Sequence, residues 1–377
     1  MSNESSEARE RPRSWAEVSL PPNPRILLAA LQGIGNTLLA GPTVARLREA
    51  LPDAEIVAMV ASGQSADVLS AIEPSLECLV LPLRLPGAVP PLLRLRRRFD
   101  VMLTLFPANA APFNLAARVV GARWRVTHDC PTRATRSLRF LQNVRVPLRL
   151  DAHDVEQNLG LLEPLGIGSP EQVRLELPLA EREREQAAAF LRQQGLGESE
   201  VFIGMHPGSS AERKMDLKRW PAGRFGAVAE ALAQEGIRTL VFGGPGEGPL
   251  KEAVVAAAPH GAILVPAMDF LVTAAIIGQA SAFVSNDSGL MHVAAAEDTP
   301  VVGIFGPTDP TRTRPWGSGH IVLRTRDECA PCWPLAEVGY RRDCTREARE
   351  CLAGIEPGRV VEAVRRLLAA GRGSEPP

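Results

Sequence analysis

The chain has no excess of charge of either sign: 42 Lys and Arg stand against 43 Asp and Glu, a net charge of −1. As a whole it therefore offers no generic attraction to nucleic acid. It also lacks a long apolar run. The nearest, Phe270 to Val284, is interrupted by Thr273, Gln279 and Ser281, which argues against a helix of about 20 apolar residues crossing a bilayer. No apolar signal core precedes residue 25, where MSNESSEARERPRSWAEVSLPPNP is charged and proline-rich. Residues 1–24 read as a disordered leader on a cytoplasmic protein whose thiols stay reduced. No short-period repeat is visible. What remains, 45% hydrophobic and 23% charged over 377 residues, is a globular chain long enough for two domains.

The apolar segments do not alternate, as expected of strands covered on both faces in a parallel sheet. Ile26 to Gln32 is such a run, followed by Gly33-Ile34-Gly35-Asn36, a helical stretch to Leu51 and a second strand at Glu55 to Val60. Further strands are predicted at Cys78 to Pro82 and Val101 to Leu105. A helical stretch from Asp151 to Leu165 ends at the breaker cluster Gly166-Ile167-Gly168-Ser169-Pro170, which sets a domain boundary. The second half repeats the plan, with strands at Val201 to Met205, Thr239 to Phe242, Ile263 to Val265, Ala282 to Ser285 and Val301 to Phe305. This predicts two doubly wound α/β domains, residues 25–170 and 171–356, with a terminal helix and tail at 357–377 and a ligand cleft between the domains.

The stretch VSNDSGLMHVAAAEDTPVVGIFGPTDP, Val284 to Pro310, runs from strand through turn to helix, strand and second turn. Free amides at the helix start and the helix dipole favour an anion there. The bland alternative is an ordinary capped helix. His206-Pro207-Gly208-Ser209-Ser210 likewise follows a strand, and Lys214, Lys218, Arg219 and Arg224 lie in the next loop. His206 can donate to a phosphate oxygen, or the segment is turn chemistry alone.

HPGSS, a loop lysine, KRWPAGRF, GGPGE and then VSNDSGLMHVAAAEDTPVVGIFGPTDP, in this order, strongly resemble the second half of glycosyltransferase family 9, the ADP-heptose:lipopolysaccharide heptosyltransferases. The resemblance implies the GT-B fold, two facing Rossmann-like domains with the nucleotide-sugar donor held mainly by the C-terminal one. It also implies inverting transfer of a sugar, a heptose, from an ADP-sugar to a lipopolysaccharide or related envelope acceptor at the inner membrane surface. On that pattern Ser209 and Ser210 face the diphosphate, and Lys214 or Lys218 offsets its charge. Asp287 binds the transferred sugar, while Ser288, Gly289 and the following amides cradle phosphate. His292 lies one helical turn on, where it is a site residue or a packed core histidine. Amides, Lys214 and helix dipoles can offset diphosphate charge, so no divalent metal is expected for transfer.

The N-terminal turn departs from the family pattern. Gly33 and Gly35 stand in place, but the family's general-base Asp is Asn36 here, and an amide cannot take the acceptor's proton. His128 and Asp129 are the replacements considered. A sugar-nucleotide-binding relative without transfer, or a nucleotide-sugar 2-epimerase on the same fold, are the alternatives. Between Arg118 and Arg149 lie eight arginines with Asp129 as the only carboxylate. Phosphorylated lipid-sugar acceptors would suit this basic stretch, and so would a solvated face or mobile loop. Cys329, Cys332, Cys344 and Cys351 form C-x2-C-x11-C-x6-C, a set able to hold structural zinc or iron with four thiolates, or simply packed thiols. Cys78 and Cys130 read as isolated thiols.

Overall fold

The computed structural model describes residues 18–81, 87–108, 110–129, 137–197, 200–210, 212–244, 246–325, 328–333, 344 and 350–372. The apolar runs form two parallel sheets. In the first half the strands are β1 (Arg25–Ala30), β2 (Glu55–Val60), β3 (Glu77–Val80), β4 (Val101–Thr104), β5 (Trp124–Asp129) and β6 (Val144–Pro147). In the second they are β7 (Phe202–His206), β8 (Arg238–Val241), β9 (Ala262–Leu264), β10 (Ala282–Asn286), β11 (Val301–Ile304) and β12 (Ile321–Leu323). The sheet orders are β3-β2-β1-β4-β5-β6 and β12-β11-β10-β7-β8-β9. Read from the same edge, the second order is β9-β8-β7-β10-β11-β12, so both halves share one topology. In such sheets ligands bind beyond the strand ends where the order reverses. Those points are β1/β4 and β7/β10.

The central strands are apolar without alternation because helices cover both faces. Ile26, Leu28 and Ala30 of β1 face one core and Leu27 and Ala29 the other, and the register pairs Ile26 with Ile56 and Phe283 with Val301. The terminal helix Pro357–Arg372 buries Val360, Val361, Val364 and Leu367 against the second-half core.

Two features differ from the sequence reading. The arginine-rich stretch 118–149, where no strand was predicted, carries β5 and β6. Its edge strand Val144–Pro147 alternates buried and exposed, so polar residues on one face hid it from a search for continuous apolar runs. Residues 18–24, assigned to the leader, are placed against the first half: Val18 is buried and its N–H donates to the Pro164 carbonyl at 3.2 Å. The leader's first 17 residues lie outside the described residues.

Candidate functional site

The β7/β10 reversal is wired from end to end. His206 closes β7 and Asn286 closes β10. The Asn286 amide donates to the carbonyls of Pro207 (2.9 Å) and Gly208 (3.2 Å), and its oxygen accepts the Trp220 N–H at 2.9 Å. One buried side chain thus fixes three loops. His206 is buried, with Nε2 3.0 Å from Glu247 Oε2 and Nδ1 2.9 Å from Ser288 Oγ. A carboxylate only accepts, so Nε2 carries a proton; in the neutral ring Nδ1 then accepts from Ser288. Ser288 also meets the Ser285 hydroxyl at 3.0 Å. Glu247 accepts the Gly244 N–H at 2.6 Å and lies on Gly208, where a Cβ would sit 2.1 Å from its Oε1. Burial pushes the Glu247 carboxyl up, but His206, the Gly244 amide and Arg219 hold it below its usual range.

Next to this chain, Asp287 is buried and its Oδ2 lies 3.2 Å from the Lys218 ammonium. Burial alone would raise its pKa; Lys218 and His292 bring it below the ordinary carboxylate value. Ser288 is the N-cap of the helix Gly289–Ala296, yet no side chain caps the helix, because the Ser288 hydroxyl is spent on His206. The first-turn amides are therefore not answered by a capping oxygen. A helix start without its side-chain cap, a lysine and a buried carboxylate at a topological switch point form a site suited to a ligand with both phosphate and hydroxyl groups.

The first half closes over it. A Cβ on Gly35 would lie 3.0 Å from His292 Cδ2 and 3.1 Å from the Gly289 Cα, and a Cβ on Gly289 would meet Ile34 Cγ2 at 2.7 Å. Two glycines thus let the turn after β1 rest on the helix that starts after β10. Beside this contact the halves are pinned. Asp154, first residue of the helix Asp154–Gly160, takes both of its hydrogen bonds from the Arg312 guanidinium at 3.1 Å. The guanidinium also lies 5.2 Å from the Phe106 ring. His153 Nε2 donates to the Arg314 carbonyl at 2.9 Å, and its ring stands 4.8 Å from Trp316. Burial raises the Asp154 carboxyl to about 6 against the pull of Arg312, with the charge of Asp287 adding to the rise.

Residues 94–337 match the family described as glycosyltransferase family 9 (heptosyltransferase). The chain belongs to this family. Among curated relatives it is 28% identical over 263 residues to the lipopolysaccharide heptosyltransferase 3 of Escherichia coli, covering 67% of this chain and 71% of that one. Other curated heptosyltransferases are matched over 42 to 60% of their own length. A family 9 glycosyltransferase structure from Veillonella parvula superposes with a TM-score of 0.74 at 24% identity, covering 94% of this chain and 99% of that one. The E. coli ADP-heptose lipopolysaccharide heptosyltransferase II gives 0.70 at 24%, covering 92% and 99%. The fold of this family 9 chain is GT-B, two α/β halves with parallel six-stranded sheets.

The residues singled out from the family 9 motifs fare unequally. His206, Asp287, Ser288, Gly289, His292 and Lys218 converge. His206, expected to donate to phosphate, has both ring nitrogens engaged within the protein and acts as a tie between β7, Glu247 and Ser288. Lys218 faces Asp287. Ser209 is buried, with its hydroxyl donating to the Met215 carbonyl at 2.9 Å and Arg219 bonded to both its oxygens; it shapes the loop, while Ser210 is exposed. The side chain of Lys214 lies outside the described residues. Gly33 is the N-cap of the helix Ile34–Leu39 at φ −66° with nothing near its Cβ position, so its backbone imposes no demand for glycine. Gly35 is needed for the close approach. His292 is buried with Nδ1 unpartnered, and burial lowers its pKa to about 4.

Both residues considered as replacements at the Asn36 position are engaged within the protein. His128 is buried with Nε2 2.8 Å from the Gln157 carbonyl and its pKa lowered by burial to about 4, and Asp129 is paired with Arg139. Asn36, half-buried on the helix Ile34–Leu39, makes no side-chain hydrogen bond among the described residues. Of the four clustered cysteines, two bracket one turn: the Cys332 N–H donates to the Pro307 carbonyl at 3.0 Å, and Cys351 Sγ lies 3.2 Å from a Cβ built on Gly306. No three metal-binding side chains converge among the described residues, and residues 334–343 and 345–349 between the thiols lie outside them. Cys78 is half-buried, with its thiol pushed up by burial; Cys130 lies outside the described residues. Glu247 and the Asp154–Arg312 pair escaped the sequence reading. Glu247 left one signal, the carboxylate ending the Gly-Gly-Pro-Gly-Glu turn.

Proposed function

We propose that this chain is an inverting glycosyltransferase that moves a heptose from an ADP-sugar to a lipopolysaccharide or related lipid-linked envelope acceptor, acting in the cytoplasm at the inner membrane surface. Family membership and the heptosyltransferase names of its relatives support this reading. The observation that carries it is buried Asp287 paired with the partly buried Lys218 beside the helix Gly289–Ala296, at the β7/β10 switch point. In the reaction the acceptor hydroxyl attacks the anomeric carbon from the face opposite the diphosphate. The new C–O bond forms as the bond to the β-phosphate oxygen breaks, and ADP leaves with the electron pair. Helix amides and Lys218 meet the charge that grows on the leaving group, without a divalent metal. Asp287, an acceptor of hydrogen bonds, holds sugar hydroxyls and keeps away from phosphate. Asn36 orients the acceptor hydroxyl, and its proton passes to water.

The test is ADP release by the purified protein from ADP-heptose, with and without a phosphorylated lipid-linked core acceptor. Acceptor-dependent release is expected, unchanged by a chelator. Binding of ADP-heptose with no release under any acceptor would replace transfer by a binding role. Asn36→Asp then probes the missing base: a gain of at least about tenfold is expected where proton removal limits the rate, and an unchanged rate would place the limit elsewhere.

A further inference from the structure

Eight large hydrophobic side chains are exposed among the described residues, and six of them, Val80, Val89, Leu93, Leu115, Phe140 and Leu150, fall in one segment. That segment, residues 80–150, holds thirteen arginines and two aspartates, with no lysine or glutamate. A chain of net charge −1 has thus gathered its positive charge where it also leaves apolar groups in water.

The fold brings part of this segment to one face. The helices Val89–Arg94 and Ala111–Val120 cover the same side of the first sheet, with Leu92, Leu95, Ala116, Ala117 and Val120 turned to the core. Val89 and Leu93 lie one turn apart on the outer stripe of the first helix, and Leu115 and Arg118 do so on the second. The helix ends are knitted together: the Arg97 N–H donates to the Val120 carbonyl at 2.7 Å, and its stem lies 3.8 Å from a Cβ built on Gly121. Asn114, next to Leu115, donates to the Ser137 carbonyl and accepts from Gln142, both at 2.7 Å. These bonds hold the 3-10 turn Arg139–Leu141 beside the second helix, with Phe140 69% exposed. Arg94, Arg97 and Arg118 have no carboxylate partner among the described residues, whereas Arg139 is paired with Asp129.

We infer that this face docks on an anionic lipid bilayer, Leu93, Leu115 and Phe140 entering the headgroup region while Arg94, Arg97 and Arg118 meet lipid phosphates. A polyanion in water would use the guanidinium groups and leave the apolar side chains idle; a bilayer uses both. No helix among the described residues is long and apolar enough to cross a membrane, so attachment through this face is peripheral. The inference rests on the membrane-surface location in the proposed function and names the face that would reach it; loss of vesicle binding with acceptor-dependent transfer intact would fail the inference alone.

Flotation of the full chain with phosphatidylglycerol-containing vesicles and with pure phosphatidylcholine vesicles tests it. Binding is expected to the first only, weakening as salt shortens the screening length. Arg94→Gln, Arg97→Gln and Arg118→Gln should each weaken it about fivefold. Leu93→Glu and Phe140→Glu should each weaken it at least about tenfold, while Val201→Glu in the second half leaves it unchanged. All these positions are exposed, so thermal unfolding at the wild-type temperature is expected and confirms that each variant is folded. No flotation with anionic vesicles overturns the inference. So does binding that responds to the arginine variants but not to Leu93→Glu or Phe140→Glu, which would make the face a site for soluble polyanions such as nucleic acid.

Discussion

The turns after β1 and β10 occupy equivalent places in two sheets of one topology, and they are built in opposite ways. After β10, Asn286, Asp287 and Ser288 are each committed to a partner on another loop, through Trp220, Lys218 and His206. After β1, Gly33 and Asn36 offer no side-chain bond, and Gly35 serves to let the backbone rest on the opposite helix. A site whose polar groups are fixed before the ligand arrives loses little on binding and can discriminate among ligands. The bare turn gains its geometry only from what enters the cleft. The second half therefore presents the prearranged wall, which suits the donor side of the proposed function, and the first half rests on it.

The largest effect that sharpens this comparison is on Asp287. Asp287→Ala removes the carboxylate that the proposed function assigns to the sugar and leaves the partly buried Lys218 ammonium without its anion. Acceptor-dependent turnover is expected to fall on the order of 10³-fold, whereas Asn36→Ala, which breaks no side-chain hydrogen bond among the described residues, should cost less than about tenfold. Steady-state kcat/KM for both variants decides the matter. Equal losses would break the contrast between a wired wall and a bare one.

The second effect concerns the pin between the halves. Asp154→Ala removes the carboxylate paired with the Arg312 guanidinium, whose side chain is 9% exposed, and breaking a buried pair on one side costs about 3–5 kcal/mol. Urea unfolding should show that loss. The double variant Asp154→Leu with Arg312→Leu should recover much of it, since no charge is then left unpaired. If the single variant unfolds as the wild type does, the pin does not hold the halves together.

What was legible in the sequence follows from which interactions are local. The strands of both switch points and the helix Gly289–Ala296 were readable because continuous apolar runs and adjacent turn residues encode them within about 30 residues of chain. β5 and β6 were not: in β5 the buried polar residues Thr127 and His128 interrupt the apolar run, and in β6 exposed Arg145 and Pro147 alternate with buried Val144 and Val146. Asp287 could be proposed as a site residue from its turn, but its partner could not be read there: Lys218 is 69 positions away. The same holds for Glu247 against His206, 41 positions apart, and for Asp154 against Arg312, 158 apart. Sequence motifs mark where chemistry sits. Which side chains hold others appears only when distant strands are brought into register: His206 and Ser209, proposed from their motif as ligands, are here bonded to Ser288, Glu247 and the Met215 carbonyl.

The smallest effect tests the boundary between the two halves by pH. His292 is 4% exposed and lies against Gly35, and burial lowers its pKa from 6.5 to about 4, with Asp287 pulling up and His153 and Lys218 pushing down. The unfolded chain takes up this proton first as the pH falls. The native state therefore keeps its full stability above 6.5 and loses it progressively towards 4. Asp154 works in the other sense: its folded carboxyl, raised to about 6, binds a proton before the unfolded one does, which adds stability on the way down. Wild-type acid sensitivity is thus a difference of opposing contributions, and His153, lowered to about 4, adds to the histidine side. His292→Gln removes one of these and should narrow the stability gap between pH 7 and pH 4.5 by about 2–3 kcal/mol in urea titrations. An unchanged gap would mean that water reaches the imidazole, and then the turn after β1 does not seal the helix that starts after β10.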